Sequence, residues 1–116
     1  TMASRLREVP RVEAIVEEEV EAFVRRYREL EVEPLVAELR RQAEEIRARE
    51  LARAFRDLGE VDPETAERID HLSRALVKKL LHEPTVRLRE HARADDGSDL
   101  AALARALFGL ASPREP

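Results

Sequence analysis

The sequence predicts an all-α fold, a helical bundle preceded by one long helix, and three observations carry that expectation. Apolar residues recur at spacings of three and four along most of the 116 residues. No stretch alternates apolar and polar residues with the period of two that a strand requires. Prolines and glycines stand between the periodic stretches, where they start and stop helices.

The first helix is expected from about Arg11 to Glu31, with Val12, Val16, Val20, Phe23, Tyr27 and Leu30 on one stripe. At 1.5 Å per residue it is about 30 Å long. A second helix is expected to start near Pro34, a residue that a first turn tolerates. Its stripe is Leu35, Leu39, Ala43 and Ile46, shifting to Leu51, Ala54, Phe55 and Leu58, and Gly59 ends it. Asp62 caps the third helix and Pro63 occupies its first turn. The apolar face of this helix is Ile69, Leu72, Leu76, Leu80 and Leu81. Pro84 is expected to kink or break it, leaving a short fourth piece with Val86 and Leu88. Ala94 to Ser98 reads as a turn. Ser98 or Asp99 caps a last helix bearing Leu100, Leu103, Leu107, Phe108 and Leu110. Residues 1–10 are expected to be an expression remnant or linker, and residues 112–116 a loose tail. The shorter helices can cover only part of the long first one. Its remaining apolar stripe calls for a partner, either a second copy of the chain or another part of the same protein.

Composition narrows the chemistry. Charged residues make up 40% and hydrophobic residues 43% of the chain, which suits one folded domain rather than a disordered or membrane-embedded segment. The formal charge of −4 speaks against binding naked nucleic acid by bulk electrostatics. Cysteine is absent, which removes thiol catalysis, disulfides and thiolate-bound zinc. The three glycines, Gly59, Gly97 and Gly109, are too dispersed to form a phosphate-cradling loop. No signal peptide or membrane-length apolar run is evident, so a cytoplasmic location is expected.

Several charged constellations have both a chemical and a structural reading. Glu64, Glu67 and Asp70 share a helix face and could hold a hard cation; Glu64 and Glu67, in the first turns, also offset the macrodipole. His71 and His82 lie eleven residues apart, about 16 Å along one helix, too far to share a metal, and each is expected to be a polar core or interface residue. Glu50 interrupts the apolar stripe four residues after Ile46, either as an acid of raised pKa or as the partner of Arg47, Arg53 or an arginine of another chain. Arg25, Arg26, Arg28, Arg40 and Arg41 could touch RNA phosphates, but the interleaved glutamates favour a solvated face of ion pairs at three- and four-residue spacing.

Two stretches carry a family resemblance. One is Val32-Glu33-Pro34-Leu35-Val36-Ala37-Glu38-Leu39-Arg40, running into Glu45-Ile46-Arg47-Ala48-Arg49-Glu50-Leu51. The other is Leu76-Val77-Lys78-Lys79-Leu80-Leu81-His82-Glu83-Pro84-Thr85, followed by Leu88-Arg89. Together they resemble the C-terminal region of glutamyl-tRNA reductase, and Leu107-Phe108-Gly109-Leu110 fits the end of that family. Lys78 stands where the family often has asparagine. The resemblance implies that residues 11–33 are the end of a spinal helix and that residues 34–111 are a helical dimerisation domain. It implies a parent enzyme that reduces glutamyl-tRNA to glutamate-1-semialdehyde with NADPH in tetrapyrrole (porphyrin) biosynthesis. Catalytic, cofactor-binding and metal-binding residues then all lie outside this chain. The implied partners are a second copy through the helical bundle, glutamyl-tRNA for the whole enzyme, and a regulatory protein as a further candidate, with no membrane. Ile69, Leu72, Leu76, Leu80, Leu103, Leu107 and Phe108 are the expected interface residues. The rival readings are a free-standing helical adaptor and an all-α metal-dependent nucleotide pyrophosphohydrolase.

Overall fold

A computed structural model describes residues 2–94 and 98–110, with side chains over 9–94 and 99–110, and those residues form three helices and no strand. Helix α1 spans Met2–Leu58, α2 spans Pro63–Ala94 and α3 spans Ser98–Phe108. The expected loose tail and most of the expected turn before α3 lie outside the described residues, as does the side chain of Ser98 as a cap.

The stop at Gly59 and the cap at Asp62 form where the sequence implies. Gly59 adopts φ +73 and donates its N–H to the Phe55 carbonyl at 3.2 Å, a left-handed cap that few other residues tolerate. Four residues later α2 is already under way, because the Asp62 side chain accepts the Thr65 N–H at 3.2 Å and its carbonyl accepts from Ala66 at 3.0 Å. At the end of α3, Gly109 has φ +68, its N–H donates to the Ala106 carbonyl at 3.4 Å, and Leu110 N–H donates to the Arg105 carbonyl at 2.8 Å. This crossed pair is a Schellman cap.

Neither Pro34, where the sequence leaves open whether two helices form one rod, nor Pro84, where it expects a kink or a break, ends a helix. The first and second pieces are one helix of 57 residues that passes through Pro10 and Pro34. Its start at Met2 also makes the segment expected as a remnant or linker helical. The third and fourth pieces are likewise one helix of 32 residues that passes through Pro84. An internal proline costs about 3 kcal/mol through a lost hydrogen bond and a clash. Around Pro34, however, Val32, Leu35, Val36 and Leu39 are all buried. Burying such side chains stabilises by about 1.5–3 kcal/mol each, so packing outweighs the local penalty. Beyond Pro84, Thr85, Leu88 and Ala92 are buried in the same way.

The core is small and off-centre. Val32, Leu35 and Val36 of α1 pack with Leu88 and Ala92 of α2 and Ala104 of α3, flanked by Leu100, Ala101 and Leu110. On α3, Ala104 is buried in the single chain while Leu103 and Leu107 stay 55% and 73% exposed. Helices α1 and α2 form an antiparallel hairpin, since partners fall in number on α2 as they rise on α1: Glu29 with Arg93, Glu33 with Arg89, Arg47 with Asp70. Helix α3 is tied back onto α1 by an ion pair between Arg105 and Glu38 and by Gln42 Nε2 donating to the Phe108 carbonyl at 2.7 Å. The long axis measures 85 Å and the radius of gyration 23.0 Å, against about 13 Å for a compact chain of this length.

Substitution at the core and on the free half of α1 should separate cleanly. Leu35→Ala is expected to cost about 2–5 kcal/mol by leaving a cavity. Val16→Ala, at a position 52% exposed, is expected to stay within about 0.5 kcal/mol. Urea unfolding followed by helix signal checks both, and equal costs would show that the core has been misplaced.

Candidate functional site

The two flanks of the α1–α2 seam differ in chemistry. On one flank an apolar groove of about 640 Å³ runs between the helices and ends against Phe108 of α3. Helix α1 contributes Leu39, Ala43, Ile46 and Leu51, and α2 contributes Ile69, Leu72, Leu76 and Leu80. The residues follow the three- and four-residue spacing that puts side chains on one helix face. They are not fully packed within the single chain: Ile46, Leu72, Leu76 and Leu80 remain 45%, 58%, 53% and 73% exposed. Of the seven interface residues expected from sequence, the structure gathers Ile69, Leu72, Leu76, Leu80 and Phe108 around this groove. Leu103 and Leu107 lie on α3 outside its lining and face solvent.

Beyond the bundle, the N-terminal half of α1 projects uncovered. Val12, Val16, Val20, Phe23, Tyr27 and Leu30 are each at least half exposed. This is the stripe the sequence marks as too long to be buried by the shorter helices.

Charged residues knit the seam together in ways local spacing does not disclose. Arg47 is buried, and its guanidinium donates to Glu44, with Nε to Oε2 at 2.8 Å, and to Asp70 Oδ1 and Ser73 Oγ at 3.2 Å each. Asp70 also accepts from Arg74 Nε at 2.9 Å. Arg89 makes a two-pronged bond to Glu33, at 2.8 and 3.1 Å. The hydrogen bond from Arg47 holds the Glu44 carboxyl below its ordinary value, and the bond from Arg89 does the same for Glu33. Asp70 is lowered first by Arg74 and then by Arg47. The bond to Glu44 in turn raises the Arg47 guanidinium above its ordinary value.

These pairings decide the sequence constellations. Arg47 does not pair with Glu50, as one reading of the sequence expected. It turns to Glu44 and Asp70, because α2 brings Asp70 within reach. Glu50 is exposed at the margin of the apolar groove, with no ion pair among the described residues. Asp70 is committed to two arginines and Glu64 to Arg68 at 3.2 Å, so the three carboxylates of α2 do not converge, and no group of metal-ligating side chains forms among the described residues. His71 and His82 are not core residues: both lie exposed in a cleft on another flank of α2, with Lys78 and Lys79. Sequence reasoning missed the cross-helix pairs. The one signal for them was Arg47, four residues after Ala43 on the buried stripe.

Neither Gly59 nor Gly109 forms part of a strand-to-helix turn: each ends a helix. A dinucleotide such as NADPH has no glycine-rich cradle among the described residues. No helix is long and apolar enough to cross a membrane.

The sequence profile described as "Glutamyl-tRNAGlu reductase, dimerisation domain" matches residues 11–110. A glutamyl-tRNA reductase of Chloroflexus aurantiacus is 46% identical over 96 residues, which is 83% of this chain and 22% of that protein. One of Nitratidesulfovibrio vulgaris is 37% identical over 116 residues, 99% of this chain and 26% of that protein. One of Methanoculleus marisnigri is 43% identical over 107 residues, 92% of this chain and 25% of that protein. The chain thus spans about a quarter of the length of the curated relatives it matches. No solved structure matches it.

The seam pairs should make the fold sensitive to acid. Glu33 and Glu44 titrate below the ordinary 4.5 and Asp70 below 3.8 when folded. The unfolded chain therefore binds more protons, and the stabilisation is full above those ordinary values and lost as pH falls through the lowered ones. The urea midpoint is expected to fall steadily below about pH 4.5, with a shallower fall in Glu33→Gln. A midpoint that stays level through that range, or an unchanged slope in the variant, would remove the seam pairs from the account of stability.

Proposed function

The chain belongs to the family of glutamyl-tRNA reductase dimerisation domains, and on that premise we propose that it joins two copies of a longer protein through the apolar flank of the α1–α2 seam. The carrying observation is the groove of about 640 Å³, whose α2 wall of Leu72, Leu76 and Leu80 is left more than half exposed in a single chain. A second copy brings the same leucine row, so a two-fold arrangement covers both at once. Phe108 closes one end of the groove and gives the contact an aromatic anchor. Leu103 and Leu107, uncovered on the neighbouring helix, extend the same contact.

The whole protein, on this reading, is a cytoplasmic enzyme that reduces glutamyl-tRNA to glutamate-1-semialdehyde with NADPH, an early step of tetrapyrrole formation. The nucleophile and the NADPH site belong to the portion outside this chain, which itself has no cysteine. The exposed stripe of α1 from Val12 to Leu30 is the face on which those other parts of the protein rest. The contribution of this chain is then geometric: a rigid helix of 57 residues leads from the paired bundle toward the catalytic portion. The joined pair fixes the separation of two catalytic units.

Light scattering after size exclusion tests the pairing. The chain is expected to run at about twice its 13.3 kDa mass, and its melting temperature should rise with concentration because association is linked to folding. Leu76→Asp should return it to a monomer with helicity retained, since Leu76 is half exposed in the single chain. Val16→Asp should leave the pair intact. If Val16→Asp dissociates the pair and Leu76→Asp does not, the long helix is the interface and the groove is not.

A further inference from the structure

Covering the apolar groove would take water away from every polar group that lines it. Four polar side chains do so: Gln42, Arg47, Glu50 and Ser73. Three of them already have partners within the single chain. Gln42 donates to the Phe108 carbonyl at 2.7 Å. Arg47 donates to Glu44, Asp70 and Ser73. Ser73 Oγ donates in turn to the Asp70 carbonyl at 2.7 Å. Glu50 is the exception: it is exposed and has no hydrogen bond or ion pair among the described residues. Arg53, three residues further along α1, is exposed and does not close on it. A solvated carboxylate needs no partner, but one taken out of water unpaired is strongly disfavoured. Whatever covers the groove must therefore bring Glu50 a cation.

A second copy brings the leucine row of its own α2, so the cation is sought beside that row. At 3.6 residues per turn, Lys79 lies about 20° around the helix from Leu72 and about 60° from Leu76. It is exposed and forms no ion pair among the described residues. The other cations bordering the row are engaged, Arg68 with Glu64 at 3.2 Å and Arg87 with Glu83 at 3.5 Å. The levels along the hairpin also agree. The two helices are antiparallel and Arg47 meets Asp70, so Glu50 stands across the seam near the level of Glu67. A two-fold axis that exchanges the levels of Glu67 and Lys79 passes midway between them, near Ser73, which lies between Leu72 and Leu76 in the middle of the contact.

We propose that Glu50 forms an ion pair with Lys79 of the partner subunit, made twice across the two-fold contact. The proposal rests on the reading that two copies join at the groove. The two α2 helices cross obliquely near Ser73, in the sense that leans the later half of each over the other's α1, and the long lysine stem spans the remainder. The pair supplies specificity. Leucine rows alone tolerate slipped pairings, whereas two symmetric ion pairs are satisfied in one register only. A carboxylate on an apolar stripe and a lysine beside a leucine row, neither of them bonded in the single chain, thereby account for each other.

Sedimentation equilibrium of the full chain reads the dissociation constant of the dimer and tests the ion pair by charge exchange. Glu50→Lys and Lys79→Glu alone should each weaken the dimer about a hundredfold, tenfold for each of the two contacts. Helicity should be retained, because both positions are exposed in the single chain. The two changes in one chain restore opposite charges and should return the constant to within about fivefold of its starting value. An equimolar mixture of the two single variants should form mixed dimers in preference to either variant with itself, since both contacts then join opposite charges. Glu50→Lys with Arg53→Glu should show no such rescue. If the wild-type chain dimerises but the exchange does not rescue, or if Arg53→Glu rescues instead, the ion pair is overturned and the subunit contact stands. A tighter dimer in Glu50→Leu, the result expected of a carboxylate buried alone, would overturn the pair as well. A wild-type chain that stays monomeric at every concentration removes the subunit contact itself, and the ion pair with it.

Discussion

A helix of 57 residues against a partner of 32 is the constraint on which the rest of this molecule depends. At 1.5 Å per residue α1 is about 85 Å long and α2 about 48 Å. Helix α2 and the short α3 can shelter only the C-terminal part of α1, and burial on α1 begins at Val32. The half that remains carries large apolar side chains into water. An isolated chain gains nothing from them, because hydrophobic stabilisation comes only from area removed from solvent. On the proposed function, other protein covers the apolar pattern of residues 12–30.

The hairpin itself is a three-sided construction. One side of α2 meets α1 through Leu88 and Ala92 and the buried guanidinium of Arg47. The second side presents Leu72, Leu76 and Leu80, and the third presents Arg74, Lys78 and His82. A helix surrounded on one side only can carry different chemistry on its remaining faces, since residues two apart point in nearly opposite directions. The buried arginine adds direction to the seam. Its fork is satisfied only when Glu44, Asp70 and Ser73 all face it, which a slipped pairing of the two helices would not provide. Hydrophobic contacts alone tolerate such slippage more readily.

Pro34 and Pro84 show how far tertiary packing can override local preference. Each breaks the helical hydrogen-bond ladder, yet Pro34 lies between buried Val32 and Leu35, and Pro84 is followed by buried Thr85 and Leu88. The local cost is fixed by the residue type, while the compensating gain depends on what lies across the seam. Gly59 ended its helix as its position implied, because a left-handed cap needs no distant partner, and Gly109 stops α3 at Phe108 in the same way, two residues short of the Leu110 that the sequence stripe includes. Arg47 and Glu50 divide along the same line. Sequence spacing singled out Glu50 as the charge on the apolar stripe, whereas the buried charge is Arg47, whose partners lie on another helix or at a spacing shared by many glutamates.

By itself, the sequence determined the helical class, the apolar face of α2, the caps at Gly59 and Asp62, and the motifs that placed the chain in its family. All of these are local or periodic properties, set by three- to four-residue spacing and by single-residue conformational limits. Only the tertiary structure decided that the helices run unbroken through Pro34 and Pro84, that Leu103 and Leu107 remain in solvent while Ala104 is buried, and that Arg47 reaches across to Asp70. Those outcomes depend on contacts between residues tens of positions apart. Their energies are comparable with the local ones they oppose, so the spacing along the chain does not foretell which will prevail.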